Sequence, residues 1–378
     1  VKGGESVELV LTAKVKIVPT EEQHTMLQQT LQAYREGCNY LSGVIYTTKN
    51  LIQARLHTTT YRYLRETFGL RSQMAQSVIK TVIARYKSMM ENGHDWKKVG
   101  FKKPELDLVW NRDYSLGHGV FSVNTLAGRV KVPFVTKGME HYFDGTWKFG
   151  TAKVVYKHGK FFLHIPMTKH IEETEWEHIN EIVGVDMGMN FLVTTYDSHG
   201  KVWFVKGRHV KDKRAHYKQL RRHLQQRQTA SARRRLKKIG QRETRWMTDV
   251  NHQVSKALVE RYGANALYVL EDLTGVREAT EKVRKRHRYE SVSWAYDQLR
   301  QMIEYKAIKL QSKVIAVDPR YTSQTCPKCG HIEKANRDKK HHRFTCKNCH
   351  YRSNDDRIGG MNLHRKGIEY LVAVTTSA

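Results

Sequence analysis

Carboxylates stand in this chain where carboxylates are costly. Asp186 ends the apolar, β-branched run Ile182-Val183-Gly184-Val185 and is followed by Met187-Gly188. Glu271 comes directly after Ala266-Leu267-Tyr268-Val269-Leu270, and Asp318 directly after Val314-Ile315-Ala316-Val317. Asp355-Asp356 open a final segment, residues 357–367. Short runs of this kind are expected to be buried strands, and an acid on one is expensive unless something compensates it. For Asp186 alone, a strand-end aspartate capping a turn is an equally good reading. Acids on separate core elements, far apart in sequence, suit a metal-dependent phosphodiesterase whose carboxylates hold two divalent ions. Hard oxygen ligands favour Mg²⁺ or Mn²⁺ over zinc.

The second constellation is Cys326-Pro327-Lys328-Cys329 with Cys346-Lys347-Asn348-Cys349. Two CxxC pairs at this separation fit a four-cysteine zinc ribbon. Each pair puts two thiolates on one knuckle, and four thiolates close a tetrahedral site. Redox dithiols are the alternative, but a ribbon this small buries too little surface to fold without a metal. With every position filled by cysteine, the zinc is expected to be structural. His341, His342 and His350 lie nearby as competing ligands or as phosphate contacts.

These groups must be positioned by a chain of 378 residues with 39% hydrophobic content, enough for two or three domains. Lys and Arg number 66 against 37 acids, a formal net charge of +29. That excess calls for a polyanion partner, most simply nucleic acid, with an acidic membrane as the rival. No run approaches a spanning helix, so no membrane is expected. The first residues carry no signal-peptide pattern, and cysteines in CxxC pairs are not a secreted disulfide framework. An intracellular location is therefore expected.

Residues 8–18 alternate as a half-buried strand. Thr20 and Gln23 fit a capping box for a helix burying Leu27, Leu31, Tyr34, Cys38, Leu41 and Ile45. A second helix is expected near residues 72–90. Residues 93–166 return to strands, with a hairpin turning at His158-Gly159. The first strand and this region are expected to form a small β-barrel with a helical pair inserted. After Asp186 comes another hairpin, residues 191–205, and then a basic stretch, residues 206–245, whose only acids are Asp212 and Glu243. A solvated helix would mix both signs, so a nucleic-acid-facing helical hairpin is expected there. Residues 282–288 are a basic loop, read as either a lid or disorder. Three strands, the first bearing an acid, then helices and parallel strands, follow the order of an RNase H-like domain.

Asp186 in Gly-Val-Asp-Met-Gly, Glu271 in Leu-Glu-Asp-Leu, residues 317–330 running into Cys326 and Cys329, and Asp356 before Met361-Asn362-Leu363 together resemble the TnpB family. These are transposon-encoded RNA-guided nucleases related to compact type V CRISPR effectors. The resemblance is specific over residues 182–367, and over the first 170 only the order of elements is similar. It implies an α/β fold with a β-barrel. A wedge-type barrel (1–19 and 93–170) would carry a helical recognition insert (20–92), and a linker (171–181) would lead on. Beyond it come a RuvC-like nuclease domain (182–320 and 353–378) and an inserted zinc ribbon (321–352). The resemblance also implies a bound omega RNA as guide, a double-stranded DNA target beside a short flanking motif, and a cytoplasmic, nucleoid-associated place in a bacterial or archaeal cell. Asp186, Glu271 and Asp356 match the catalytic acids, with the register from Asn362 selecting Asp356 over Asp355. Gly359 and Gly360 each weaken a helix by roughly 1 kcal/mol, and Ile358 replaces the usual Asn. Arg320 sits in the motif before the ribbon and is expected to contact the target strand. Arg221, Arg222 and Lys206 are further expected nucleic-acid contacts.

The alternatives are a guided DNA-binding repressor that does not cut, a guide-free transposase or resolvase, and a plain RNA-binding structural protein. The last leaves the three acids unexplained.

Overall fold

The alternation after residue 6 produces strand β1 (Ser6–Ile17), which buries Leu9, Ala13, Val15 and Ile17. The computed structural model describes residues 6–103, 105–272 and 296–376. The chain divides into two units, Glu8–His170 and one that takes the residues from Ile171 onward together with those before Glu8.

In the first unit, helix α1 (Glu21–Thr48) starts at Thr20 with both bonds of the capping box present. Its stripe is buried from Leu27 to Ile45 as the spacing requires. Helix α3 (Ser72–Glu91) buries Met74, Val78, Val82, Tyr86 and Met89. Between them lies a further helix that the expected pair left out, α2 (Gln53–Phe68), which buries Leu56, Thr60 and Leu64. The insert is thus three helices, not a pair.

The remaining strands of this unit are β2 (Glu105–Leu108), β3 (Tyr114–Gly117), β4 (Val120–Thr125), β5 (Gly128–Val135), β6 (Lys148–Phe149), β7 (Ala152–Lys157) and β8 (Lys160–Glu172). They join β1 in an eight-stranded sheet ordered β2-β7-β8-β1-β5-β4-β3, with β6 on β8, curled into a nearly closed barrel. His158 and Gly159 both take positive φ between β7 and β8, the turn that matches strand twist.

The second unit holds β9 (Glu181–Asp186), β10 (Phe191–Asp197) and β11 (Val202–Lys206), then helices α4 (Arg208–Arg227) and α5 (Ala230–Tyr262). Next come β12 (Ala266–Glu271), α6 (Tyr296–Lys309) and β13 (Lys313–Val317). The small strands β14 (Arg337–Asp338), β15 (Arg343–Thr345) and β16 (Arg352–Asn354) precede helix α7 (Asp355–Thr376). The main sheet is ordered β11-β10-β9-β12-β13. The first three strands pair antiparallel, while β9–β12 and β12–β13 are parallel.

Both faces of this sheet are covered, which is why β9 and β12 read as continuous apolar runs. Val183, Val185, Tyr268 and Leu270 face α5 and α6, whose Val254, Leu258, Leu299 and Ile303 complete that layer. Ile182, Leu267 and Val269 face Leu363 of α7. The basic loop at residues 282–288 lies outside the described residues. Among the described residues no helix is long and apolar enough to cross a membrane.

Candidate active site

Asp186 and Glu271 are the last residues of neighbouring parallel strands. The pairing Leu270↔Val185 continues one step to set the two acids side by side at the sheet's carboxyl end. Open α/β sheets place ligands in that same crevice. The third acid arrives from the start of α7, where Asn354 caps the helix. Its Oδ1 accepts from the amides of Asp356, at 3.0 Å, and Arg357, at 3.1 Å.

Glycines let α7 lie directly on the strands. A Cβ at Gly184 would collide with the Gly360 carbonyl and the His364 amide, and one at Gly367 would fall 2.5 Å from Val269 Cγ2. A Cβ at Gly359 would fall 2.7 Å from Asp186 Oδ2. Gly359 and Gly360, unfavourable in an isolated helix, are therefore what brings the Asp356 end of α7 against Asp186. Among ten-residue windows of this chain no propensity scale would reveal that, because the cost is local and the gain is a contact across the fold.

The electrostatics follow from this crowding. Asp186 titrates well above the ordinary carboxylate range, first because water is excluded and then because Glu271 and Asp356 carry like charge. Burial raises Glu271, while a bond from Thr322 opposes the rise. Burial and then the neighbouring Asp355 raise Asp356, with Arg337, His342 and Lys211 opposing. Acids held this way seek a cation.

The adjacent acids are not equivalent. Asp355 is fully buried, with Arg337 Nε donating to its Oδ2 at 2.8 Å. Asp356 keeps Oδ2 buried with no hydrogen-bond partner among the described residues, an atom suited to a metal. Asp186, Glu271 and Asp356 do not gather ligand atoms within 4.8 Å as one set, whereas His342, Asp355 and Asp356 do. A pair of ions about 3.5–4 Å apart needs the wider ring.

Two residues to which the sequence reading gives no role of their own at the site support Glu271. Thr322 donates to Glu271 Oε1 at 2.5 Å. Asn362 on α7 donates to the carbonyls of Thr322, at 2.7 Å, and Thr325, at 2.9 Å. The threonine lies in the loop before the ribbon, 51 residues from its partner, so only the fold joins them.

The four cysteines converge. Sγ atoms of Cys326 and Cys349, and of Cys329 and Cys346, lie 3.6 Å apart. Four thiolates bonded to one zinc would sit about 3.8 Å apart. The two knuckles are built alike. Cys326 and Cys346 carbonyls accept from Gly330 and His350 amides, and both of those residues take positive φ. His350 thus fills a turn position. The His331 amide holds the Cys329 thiol down to about 6, so a thiolate is available at neutral pH.

The expected nucleic-acid contacts separate. Lys206, Arg222 and Arg320 are exposed, and Arg320 is tethered through its amide to Asp318 Oδ1 at 2.9 Å. Arg221 instead forms an ion pair with the nearly buried Glu243, tying α4 to α5. A cleft of about 700 Å³ between these helices is lined by Lys213, Tyr217, Arg234, Lys238 and Arg242.

Comparison with known proteins bears on this arrangement. A family model described as a probable transposase matches residues 164–286, and one described as the Cas12f1-like TNB domain matches residues 296–363. A TnpB-like protein of Methanocaldococcus jannaschii is 30% identical over 238 residues, covering 61% of this chain and 82% of that protein. The chain belongs to the TnpB-like family. The CRISPR-associated endodeoxyribonuclease Cas12f1 of Sulfoacidibacillus thermotolerans is 25% identical over 272 residues. That match takes in 65% of this TnpB-like chain and 61% of the Cas12f1. The fold is similar to Cas12f1 in its complex with sgRNA and target DNA, with a TM-score of 0.64. That similarity covers 92% of this chain and 83% of the other at 14% identity, a likeness of fold. The mini-RNA-guided endonuclease CRISPR-Cas_phi3 gives a TM-score of 0.60 over 95% and 92% of the two chains at 11% identity. In this TnpB-like chain the first matched segment carries Asp186 and Glu271, and the second carries Thr322, the cysteines, Asp356 and Asn362.

Proposed function

We propose that this TnpB-like chain is an RNA-guided DNA endonuclease that hydrolyses phosphodiesters at Asp186, Glu271 and Asp356. The observation that carries the reading is the meeting of three acids, from two strand ends and a helix start, with titration raised by one another and by burial. The unit beginning at Ile171 would be RNase H-like in the RuvC manner, with a zinc ribbon at Cys326, Cys329, Cys346 and Cys349. The unit Glu8–His170 would supply a wedge-type barrel and recognition helices.

The donor set fits divalent cations, since it is all oxygen and keeps the Asp356 Oδ2 atom free of hydrogen bonds. Mg²⁺ or Mn²⁺ bound there would supply charge stabilisation for the phosphoryl oxygens and an attacking water of lowered pKa. The protein's part is positioning. Thr322 and Asn362 fix the Glu271 rotamer, and Gly359 sets the separation of α7 from Asp186. Lys211 lies near enough for its charge to oppose the rise of Asp356. Base pairing with a guide would choose the sequence, while the protein reads backbone, shape and a short flanking motif. The names of the relatives, an endodeoxyribonuclease among them, support this reading.

The test is native purification followed by sequencing of any bound RNA. A plasmid carrying the matching target is then incubated with the complex and Mg²⁺. Guide-dependent cutting supports the reading. RNA-free protein that cuts regardless of sequence contradicts the guided part, and bound RNA without cutting contradicts the nuclease part.

A further inference from the structure

We infer that His342 is a protein ligand of the cation held at Asp356, adding one imidazole nitrogen to the carboxylate set. The inference rests on the metal-dependent nuclease reading above and goes beyond it, since that reading uses oxygen ligands alone.

Three observations carry it. Ligating atoms of His342, Asp355 and Asp356 all lie within 4.8 Å of one another, close to the span of about 4.2 Å open to two ligands each about 2.1 Å from one ion. Asp356 is nine-tenths buried and its Oδ2 lacks a hydrogen-bond partner among the described residues, so the acid in this cluster keeps an unpartnered buried oxygen. His342 is also held in place by the backbone. It takes φ 53° in the turn between β14 and β15. Its carbonyl accepts from Asn354 Nδ2 at 3.2 Å and from the Asp355 amide at 3.4 Å. The ribbon's turn is thereby fastened to the very start of α7, and the histidine ring comes with it.

The neighbours favour ligation over a simple ion pair. Arg337 already neutralises Asp355 through Oδ2, so Asp355 does not need His342 as a counter-charge. Asp355 Oδ1 faces His342 Nδ1 at 3.5 Å, and the Asn190 side-chain amide lies 3.0 Å from that nitrogen and closer still to Nε2. A side-chain oxygen at one ring nitrogen is the usual way a protein orients the other toward a metal, and an Asn190 amide turned to accept from Nε2–H leaves Nδ1, on the side of the acids, as the ligand atom. Asn190 is then a positioning residue for His342, and Asp356 the carboxylate ligand. A nitrogen donor shifts preference away from Mg²⁺ and toward Mn²⁺ and the later divalent metals.

The experiment is pulsed electron paramagnetic resonance of Mn²⁺ added to the full-length, zinc-loaded protein. Wild type is expected to show the ¹⁴N coupling of a coordinated imidazole. His342→Asn, in which asparagine tolerates the left-handed backbone, is expected to keep its zinc and still bind Mn²⁺ but lose that coupling. Its half-saturating Mn²⁺ concentration should rise on the order of tenfold, with a smaller change for Mg²⁺. Bound Mn²⁺ without ¹⁴N coupling in wild type, or coupling that survives in His342→Asn, overturns the inference while the carboxylate site stands. If Asp186→Asn binds Mn²⁺ as wild type does and neither shows coupling, the inference and the metal site fall together.

Discussion

Gly359 of α7 lies against Asp186 of β9 so closely that a methyl group placed on it would come within 2.7 Å of the Asp186 carboxylate oxygen and 2.9 Å of its carbon. The helix that delivers Asp356 is thus pressed onto the acid it must work with. Gly359→Ala is expected to displace Asp186 with little loss of overall stability, since the collision is with a side chain. A displacement near 1 Å at a reacting centre costs about 10²-fold in rate. Gly184→Ala collides with the backbone of α7 instead, and overpacking there should cost about 1–3 kcal/mol or more. Cleavage rates and thermal melts of the two variants separate these effects.

Thr322 gives a pH signature. Its hydroxyl bond favours the ionised form of Glu271 and opposes the upward push of burial. Thr322→Val removes that bond, so the Glu271 carboxyl should titrate higher still. The carboxylate is the form that holds a cation, and activity appears as pH rises through its titration. The ascending limb of the rate–pH profile should therefore move to higher pH in Thr322→Val, while Thr322→Ser leaves it near wild type. An unmoved limb would show that another group controls it.

The ribbon should stand or fall with its metal. Elemental analysis is expected to give one zinc per chain. Cys329→Ser removes a thiol held down to about 6 and should reduce zinc content well below that. Structural zinc contributes roughly 10–16 kcal/mol in isolated fingers, so the three small strands should lose protection from amide hydrogen exchange. Full zinc retention in Cys329→Ser would remove that cysteine from the ligand set.

Much of this architecture is legible in the residues because burial writes itself into periodicity. The strands ending at Asp186 and Glu271 are apolar on both faces, so an acid at their ends stands out. The CxxC pairs carry their own chemistry. What the residues do not announce are groups whose role depends on a distant partner. Thr322 is an ordinary loop residue until the fold sets it against Glu271, and His342 is one of three histidines near the ribbon until the fold sets it beside Asp355. Arg221 reads as one more surface charge in a basic run, yet it turns inward to Glu243. Gly359 and Gly360 read as weaknesses in a helix, because propensity says nothing of the sheet beneath them.

The convergence of the three acids is tested most directly by Asp186→Ala, purified with its RNA and given target DNA and Mg²⁺. RNA retention and target binding should match wild type, and cutting should fall below detection. Cutting that continues at the wild-type rate would contradict the assignment of Asp186, and with it the site built around that residue.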